Sequence, residues 1–487
     1  MKDSKLALTL NSFTKEELKL FAKFAASPYF NNGRNYIPLL DELAKFYPDF
    51  DDQKLTSEYL YKKLYPGRKF NKQVMWNLIS GLEKLALEFM LQTGLKNNKQ
   101  QRFSILFDEL SKRNLDKQSL KQIEDAEKNI NPVKYGKDFF YTKWLVENNK
   151  AAYWNSIKGR QDKTFEGTLK STEYLVLNFL VDLSVQVWDL HIMNIMYNSG
   201  DEINSAIEFV RSLDLKKFTD NASKKKNKYA PVINFYYNKI MCALEENEES
   251  YFFEMKKYFD ENYNSFDSVE QSNTIISLGN YCAHKMRLGN KKFLKILFEI
   301  NKFRLEKEIG AYDNGSINKA LYHQILRNAL SLDEIKFAED FVKKYTPKLK
   351  NEHQKTMNLL AMGYINYAKK NYADSLLYLN KVEFIDLRDK LHVRILSAKA
   401  YYELNKAELL FYYIDSSRHF IGNNPSIEKN TKEAYLKFFN YLNRLLTCRE
   451  NPDKNKLNDL KEDIHIDETL RLRHKHWLQE KIDQIQS

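Results

Sequence analysis

Nine histidines, three cysteines and a few clustered carboxylates are the residues in this 487-residue chain whose spacing could do chemistry. His474 and His476 flank Lys475, with His465 nearby, and form the densest histidine cluster. Ligands at i and i+2 on a helix point to different sides, and the lysine between them repels a cation. They read as surface histidines of a C-terminal helix, and no metal is expected. Cys242, Cys282 and Cys448 form no CxxC pair, so neither a zinc site nor a disulfide framework follows. Glu245-Glu246 and Glu248-Glu249 could serve acid–base catalysis only if burial separated their pKa values, and they sit at a predicted helix end in solvent. GAYDNGS (310–316) has the glycines of a phosphate loop, but Ser316-Ile317 stands where Lys-Ser/Thr is required, so it reads as a turn. GxGxxG, HExxH, GxSxG and EF-hand patterns are absent. No catalytic residue and no cofactor are assigned, and a non-enzymatic role is expected.

With so little chemistry, the elements themselves must carry the function. Hydrophobic content of 43% supports packed cores, and 487 residues exceed one ordinary core. Gly (14) and Pro (9) are scarce, where average usage would give roughly 34 and 24. A parallel α/β enzyme needs Gly-rich turns at its crossovers, so the composition points to helices joined by short polar loops. The net charge of +12 suits an acidic partner such as nucleic acid. It is equally the product of a composition rich in Lys, Asn, Ile, Tyr and Phe. No N-terminal run is long enough for a signal peptide. YLVLNFLVDLSVQVW (174–188) is broken by Asn178 and Asp182 and reads as a buried helix rather than a membrane span. A reducing, cytoplasmic setting is expected.

Helical periodicity runs nearly the whole length. TKEE (14–17) is a capping box, and Leu18, Phe21 and Ala25 follow on one face. SPYFNNG (27–33) stops that helix, and a second runs over 35–46. The polar stretch 94–102 reads as a domain boundary. Further breaks fall at 131–138, 197–202, 312–316, 421–426 and 451–456. The lysine-rich run 223–228 reads as a solvated loop. Val/Ile/Thr alternation bounded by hairpin turns is missing, so the chain is expected to be all-α.

Three segments repeat: 324–345, 361–382 and 396–416. In each, a first helix ends at a polar knuckle (LSLDE, AKKNY, ELNKA) and a second helix of about twelve residues follows. Aligned, they place Leu326, Gly363 and Ala398 at one position and Ala338, Ser375 and Leu410 at another, steps of 35 to 37 residues. That step marks stacked helix pairs, each unable to bury its apolar face alone. Small residues belong where two helices cross closely, and Tyr322, Tyr367, Tyr372 and Tyr401 would fill wider gaps. Weaker pairs at 231–265 and 268–305 extend the array upstream.

The pattern resembles the tetratricopeptide repeat (TPR) family. Met362-Gly363 occupies its Leu-Gly pair, Ser375 its small Ala and Leu379 its Phe; Ala398 and Tyr401 take the Gly and Tyr positions of the next unit. Asn366 stands where Tyr is expected, Leu410 replaces the small Ala, and the closing Pro is missing. The whole chain is also similar to bacterial proteins built as TPR-like helical arrays. The resemblance implies a right-handed solenoid of helical hairpins behind an N-terminal helical domain, acting as a protein-interaction scaffold by shape alone. Four segments are expected: an N-terminal helical domain (1–95), a region of long helices (96–215), the repeats (216–425) and capping helices (426–487).

In that family partners lie along the concave face of the first helices. The matching positions are His323 and Arg327, Tyr364 and Tyr367, and Lys399 and Tyr402. Cations mixed with tyrosines suit an acidic or aromatic protein or peptide. An alternative rests on 57–85, which reads as a helix-turn-helix with Arg68, Lys69, Lys72 and Gln73 at the leading end of its second helix, placed for nucleic-acid contacts. Against it, Val74, Trp76, Leu78, Leu82 and Leu85 make that helix apolar over much of its surface, as a cap on the array would be.

Overall fold

The computed structural model describes residues 4–129, 132–197, 205–313, 315–383, 386–451, 453–467, 469–470 and 472–486, and it is all-α. Its Cα packing divides the chain into two compact units, one of 1–133 with 139–175 and one of 134–138 with 176–487. The predicted break at 197–202 lies, beyond Tyr197, outside the described residues.

The first unit contains α1 (Lys5–Asn11), α2 (Lys15–Ala25), α3 (Pro28–Asn31), α4 (Ile37–Ala44), α5 (Ser57–Leu64), α6 (Lys72–Asn97), α7 (Lys99–Lys112), α8 (Asp116–Asn129), most of α9 (Lys137–Ser156) and the start of α10 (Gln161–Tyr197). Its capping box forms as read: the Glu17 amide donates to Thr14 Oγ1 at 3.1 Å and the Thr14 amide to Glu17 Oε2 at 2.8 Å. SPYFNNG does not simply stop α2, because Pro28 at the head of α3 starts a further turn of helix. The helix α6 is the unit's spine, burying Met75, Leu78, Leu82, Leu85, Ala86 and Phe89 against α1, α2 and α5. The polar stretch 94–102 is helical on either side of Asn98, whose side chain caps α7 by accepting from the Gln101 amide.

In α10, Tyr174, Leu177, Leu180, Val181, Val187 and Trp188 are buried while Leu175, Val176 and Phe179 are exposed. One face is therefore core and the other is not, which differs from a helix buried all round. By length and composition it is the single described helix apolar enough to cross a membrane. Asn178 donates its side-chain amide to Asp182 one turn on at 3.1 Å, which pairs the two polar interruptions, while the Asn178 side-chain oxygen is buried without a donor.

The second unit continues with α11 (Ser205–Ser212), α12 (Leu215–Lys224), α13 (Ala230–Leu244), α14 (Ser250–Asn262), α15 (Ser268–Arg287), α16 (Lys292–Glu306), α17 (Lys319–Ser331), α18 (Ile335–Tyr345), α19 (Asn351–Ala368), α20 (Tyr372–Leu379), α21 (Leu387–Glu403), α22 (Ala407–Gly422), α23 (Lys429–Glu450), α24 (Lys454–Ile466) and α25 (Leu472–Gln486). The loop GAYDNGS is a turn that also forms a two-residue antiparallel ladder, β1 (Tyr312–Asp313) with β2 (Ser316–Ile317). The lysine run 223–228 is divided, with Ser223 and Lys224 closing α12 and the remainder turning. Of the glutamates read as solvated, Glu245 and Glu248 are exposed as expected, while Glu246 and Glu249 are partly buried. Arg211 bonds Glu245 at 2.9 Å in solvent, the His284 ring engages Glu246, and Asn290 donates to Glu249 at 3.1 Å. Those partners approach from α11, α15 and the loop after α15, where local sequence gives no sign of them.

Each repeat segment is a helix pair broken at its knuckle: α17 with α18, α19 with α20, α21 with α22. Successive pairs also pack on one another, α18 on α19 and α20 on α21, and so bury one another's apolar faces. The pair α19 and α20 crosses closely at Gly363, where a Cβ would lie 2.7 Å from Leu379 Cδ2. Ser375, fully buried, donates to the Gly363 carbonyl at 2.8 Å, so its hydroxyl is satisfied at the same crossing. Ala338 and Ala398 are likewise fully buried. Tyr322 fills a gap against Phe341, and its hydroxyl pairs with Thr346 Oγ1 at 2.7 Å. Upstream, α13 and α15 are joined by a buried ion pair, Lys239 to Glu270 at 2.7 Å, to which Thr274 adds a hydroxyl.

At the far end Asp467 anchors the turn from α24 to α25. Burial pushes its carboxyl up, but hydrogen bonds from Thr469, Tyr441 and Lys437 outweigh that and hold it at about 2.

Gly363→Val forces a branched side chain into Leu379, and overpacking of this kind destabilises by about 1–3 kcal/mol; urea unfolding followed by circular dichroism measures it. Asp467 titrates below the ordinary aspartate value of about 3.9, so its ionised form stabilises the fold fully above about pH 4 and that contribution is lost toward pH 2. Thermal melts at pH 5, 3 and 2 are expected to show a steeper acid loss in the parent chain than in Asp467→Asn.

Candidate functional site

Five of the six residues expected to face a partner, His323, Arg327, Tyr364, Tyr367 and Lys399, line a single cavity of about 1240 Å³ in the second unit. His323 and Arg327 sit one turn apart on α17, Tyr364 and Tyr367 on α19, and Lys399 on α21. Tyr402 does not reach it. Its ring lies 5.4 Å from that of Trp477, and the Arg449 guanidinium sits 4.2 Å above it. The physical reason is α25, which folds back across the first helices.

Trp477 of α25 donates its indole N–H to the Tyr367 hydroxyl at 2.9 Å, Lys399 Nζ lies 4.7 Å over the same indole, and Lys481 bonds Glu403 at 2.9 Å. Burial, reinforced by the Glu403 carboxylate, holds the Tyr367 phenol well above its ordinary value, so it stays protonated. Of the histidines read as surface groups, His465 is exposed on α24, while His474 and His476 are drawn in on α25 itself. His474 is buried against Phe438, and both His474 and His476 line the cavity. Burial and the nearby Lys291 and Lys475 lower His476.

At its other side the cavity is closed by α17 meeting α21 directly, although α19 lies between them in the chain. Lys319 Nζ is 2.6 Å from a carboxylate oxygen of both Asp386 and Asp389, and the His323 ring stacks on His392 with centroids 4.3 Å apart. Burial raises Asp389 in spite of Lys319. Asp386 feels burial too, but Lys319 and two backbone amides outweigh it and lower its carboxyl. With His353 on α19, five of the nine histidines surround one space.

The lining carries seven permanently cationic side chains and three carboxylates. Desolvation lowers Arg287, as expected for a cation held partly out of water. Asn328, 4% exposed on the α17 wall, has an amide nitrogen with no acceptor in the protein, and the same is true of Arg327 Nε. The arrangement can hold a negatively charged group by charge and hydrogen bonds. Among the described residues, no group of three or more His, Cys, Asp or Glu is placed to hold a metal ion. The three thiols are buried, and desolvation pushes Cys282 up to about 12.

Of the residues sequence reasoning missed, His392 had a signal: it lies seven residues before Lys399 on the same helix face. The same periodicity on α19 leads from Tyr364 back to Met357 and His353. Trp477 had none, because its partner Tyr367 is 110 residues away in the chain.

In the first unit, Arg68, Lys69, Lys72 and Gln73 are all exposed around the start of α6. Arg68 lies 5.8 Å over the Tyr65 ring, and Gln73 donates to Asn77 at 3.0 Å. Trp76 beside them is 61% exposed rather than packed.

No protein-family model, curated protein or solved structure matches this chain.

Trp477→Ala removes the indole from Tyr367, Lys399 and Tyr402 together, a loss of about 3–5 kcal/mol for a large buried aromatic. Limited proteolysis is expected to cleave the variant first within 466–487 while the α17–α22 pairs stay intact.

Proposed function

We propose that this protein is a non-enzymatic interaction scaffold: a right-handed, TPR-like array of helical hairpins that holds a segment of a partner protein at the inner face of its first helices, in the cytoplasm. The observation that carries this reading is the convergence of His323, Arg327, Tyr364, Tyr367 and Lys399 on one cavity, from three helices spaced a repeat apart. Residues that recur at the repeat step come to one surface only when the repeats stack in register, and a surface of that kind recognises a ligand by shape and complementary charge. The mixture of cations and tyrosines favours an acidic segment. Because α25 already covers Tyr367 and Lys399, the partner meets chiefly the α17 side, at His323, Arg327 and Tyr364.

A photoreactive residue in place of Gln324, exposed on the cavity wall, is expected to give a covalent adduct with one protein in the native host, lost in an Arg327→Glu background. Absence of an adduct would oppose the scaffold reading. If duplex DNA instead bound with a steep salt dependence that Arg68→Ala and Lys72→Ala abolished, the nucleic-acid alternative would replace it.

A further inference from the structure

We propose that the cavity binds a phosphate group carried on a larger ligand, an inference that rests on reading this cavity as the binding surface. Charge comes first. Lys319 is held between Asp386 and Asp389, two carboxylates to one ammonium, so the seven cations of the lining exceed its three carboxylates by four. Six other cations then line the space, with Glu480 as the remaining carboxylate. An excess of like charge around a partly desolvated space is unfavourable until an anion enters. The cations come from different walls: Arg327 from α17, Arg388 and Lys399 from α21, Arg287 from α15, and Lys291 and Lys350 from the loops that open α16 and α19. A carboxylate presents two oxygens in one plane and is satisfied by one guanidinium. A phosphate monoester carries nearly two charges on three strong acceptor oxygens and takes donors from several directions, as these walls supply them.

Hydrogen bonding points the same way. Lys291 and Lys350 stand at the N-cap positions of α16 and α19 without a side-chain cap, and the Phe293, Leu294 and His353 amides of those first turns donate to backbone carbonyls, so any anion would meet the positive helix ends rather than a full set of open amides. Helix N-termini favour anions. The buried Asn328 amide and Arg327 Nε are donors on the same wall still lacking acceptors in the protein. The histidine rings that surround the space add donors that suit the same oxygens. Its volume of about 1240 Å³ is far larger than a free phosphate requires, so the phosphate belongs to a bigger molecule: a phosphorylated segment of a partner protein, or a phosphorylated small molecule.

The test is calorimetric titration of the full chain with pyrophosphate, with a nine-residue phosphoserine peptide, with the same peptide unphosphorylated, and with hexaglutamate. Binding of pyrophosphate or the phosphopeptide, at least about tenfold tighter than the other two, is expected. Phosphopeptide tighter than pyrophosphate assigns the source to a protein segment, and the reverse order to a small molecule. Arg327→Gln should weaken binding about tenfold or more, since it removes a charge-assisted donor. Arg388→Gln, at an exposed position, should do so with an unchanged melting curve, which separates loss of the site from loss of the fold. Hexaglutamate binding as tightly as the phosphorylated probes would overturn the proposal, as would binding untouched by both arginine variants. No binding of either phosphorylated probe, with the photo-adduct at Gln324 intact, overturns the phosphate and leaves the scaffold standing.

Discussion

The site depends on one indole. Trp477 stands where the C-terminal helix crosses the first helices of the repeats, and its N–H, ring face and edge are each used, by the Tyr367 hydroxyl, the Lys399 ammonium and the Tyr402 ring. A tryptophan buried with its donor satisfied adds area and direction together. Without that contact α25 would still hold Glu403 through Lys481, but it would lose its hydrogen bond to α19 and leave the space beside α17, α19 and α21 a more open trough. With it the trough becomes a bounded space whose contents are screened less by water, so each charge on its walls counts for more.

Much of the helical framework could be read from the residues because the forces that set it are local. The knuckles after α17, α19 and α21 follow from polar, small residues that break periodicity, and the Gly363–Ser375 crossing follows from side-chain size. That His323, Arg327, Tyr364, Tyr367 and Lys399 line one cavity has the same local origin, since they recur on the first helices at steps close to the repeat. What could not be read is long-range. The return of α25 turned expected surface histidines into cavity walls and hid Tyr402, and an amphipathic pattern says that a helix has a partner without saying which. The ion pair between Lys239 and Glu270 is hidden for the same reason, since neither residue's neighbours in sequence indicate the other.

Charge shows the same division. The net charge of +12 has no address in composition. Folding concentrates a part of it around one space while pairing other cations along the helices, as Arg211 does with Glu245 and Arg444 with Asp463. Exposed pairs of that sort add little stability. The cavity's cations matter because helices distant in sequence hold them together.

Lys319 also joins helices that lie far apart in the sequence. It ties the start of α17 to the start of α21, one ammonium held by two carboxylates. Asp386 faces water and its hold weakens as ions crowd in, whereas Asp389 is almost wholly enclosed and keeps its grip. One ammonium is therefore shared by two carboxylates of unequal exposure, and added salt should weaken the outer contact while sparing the inner one.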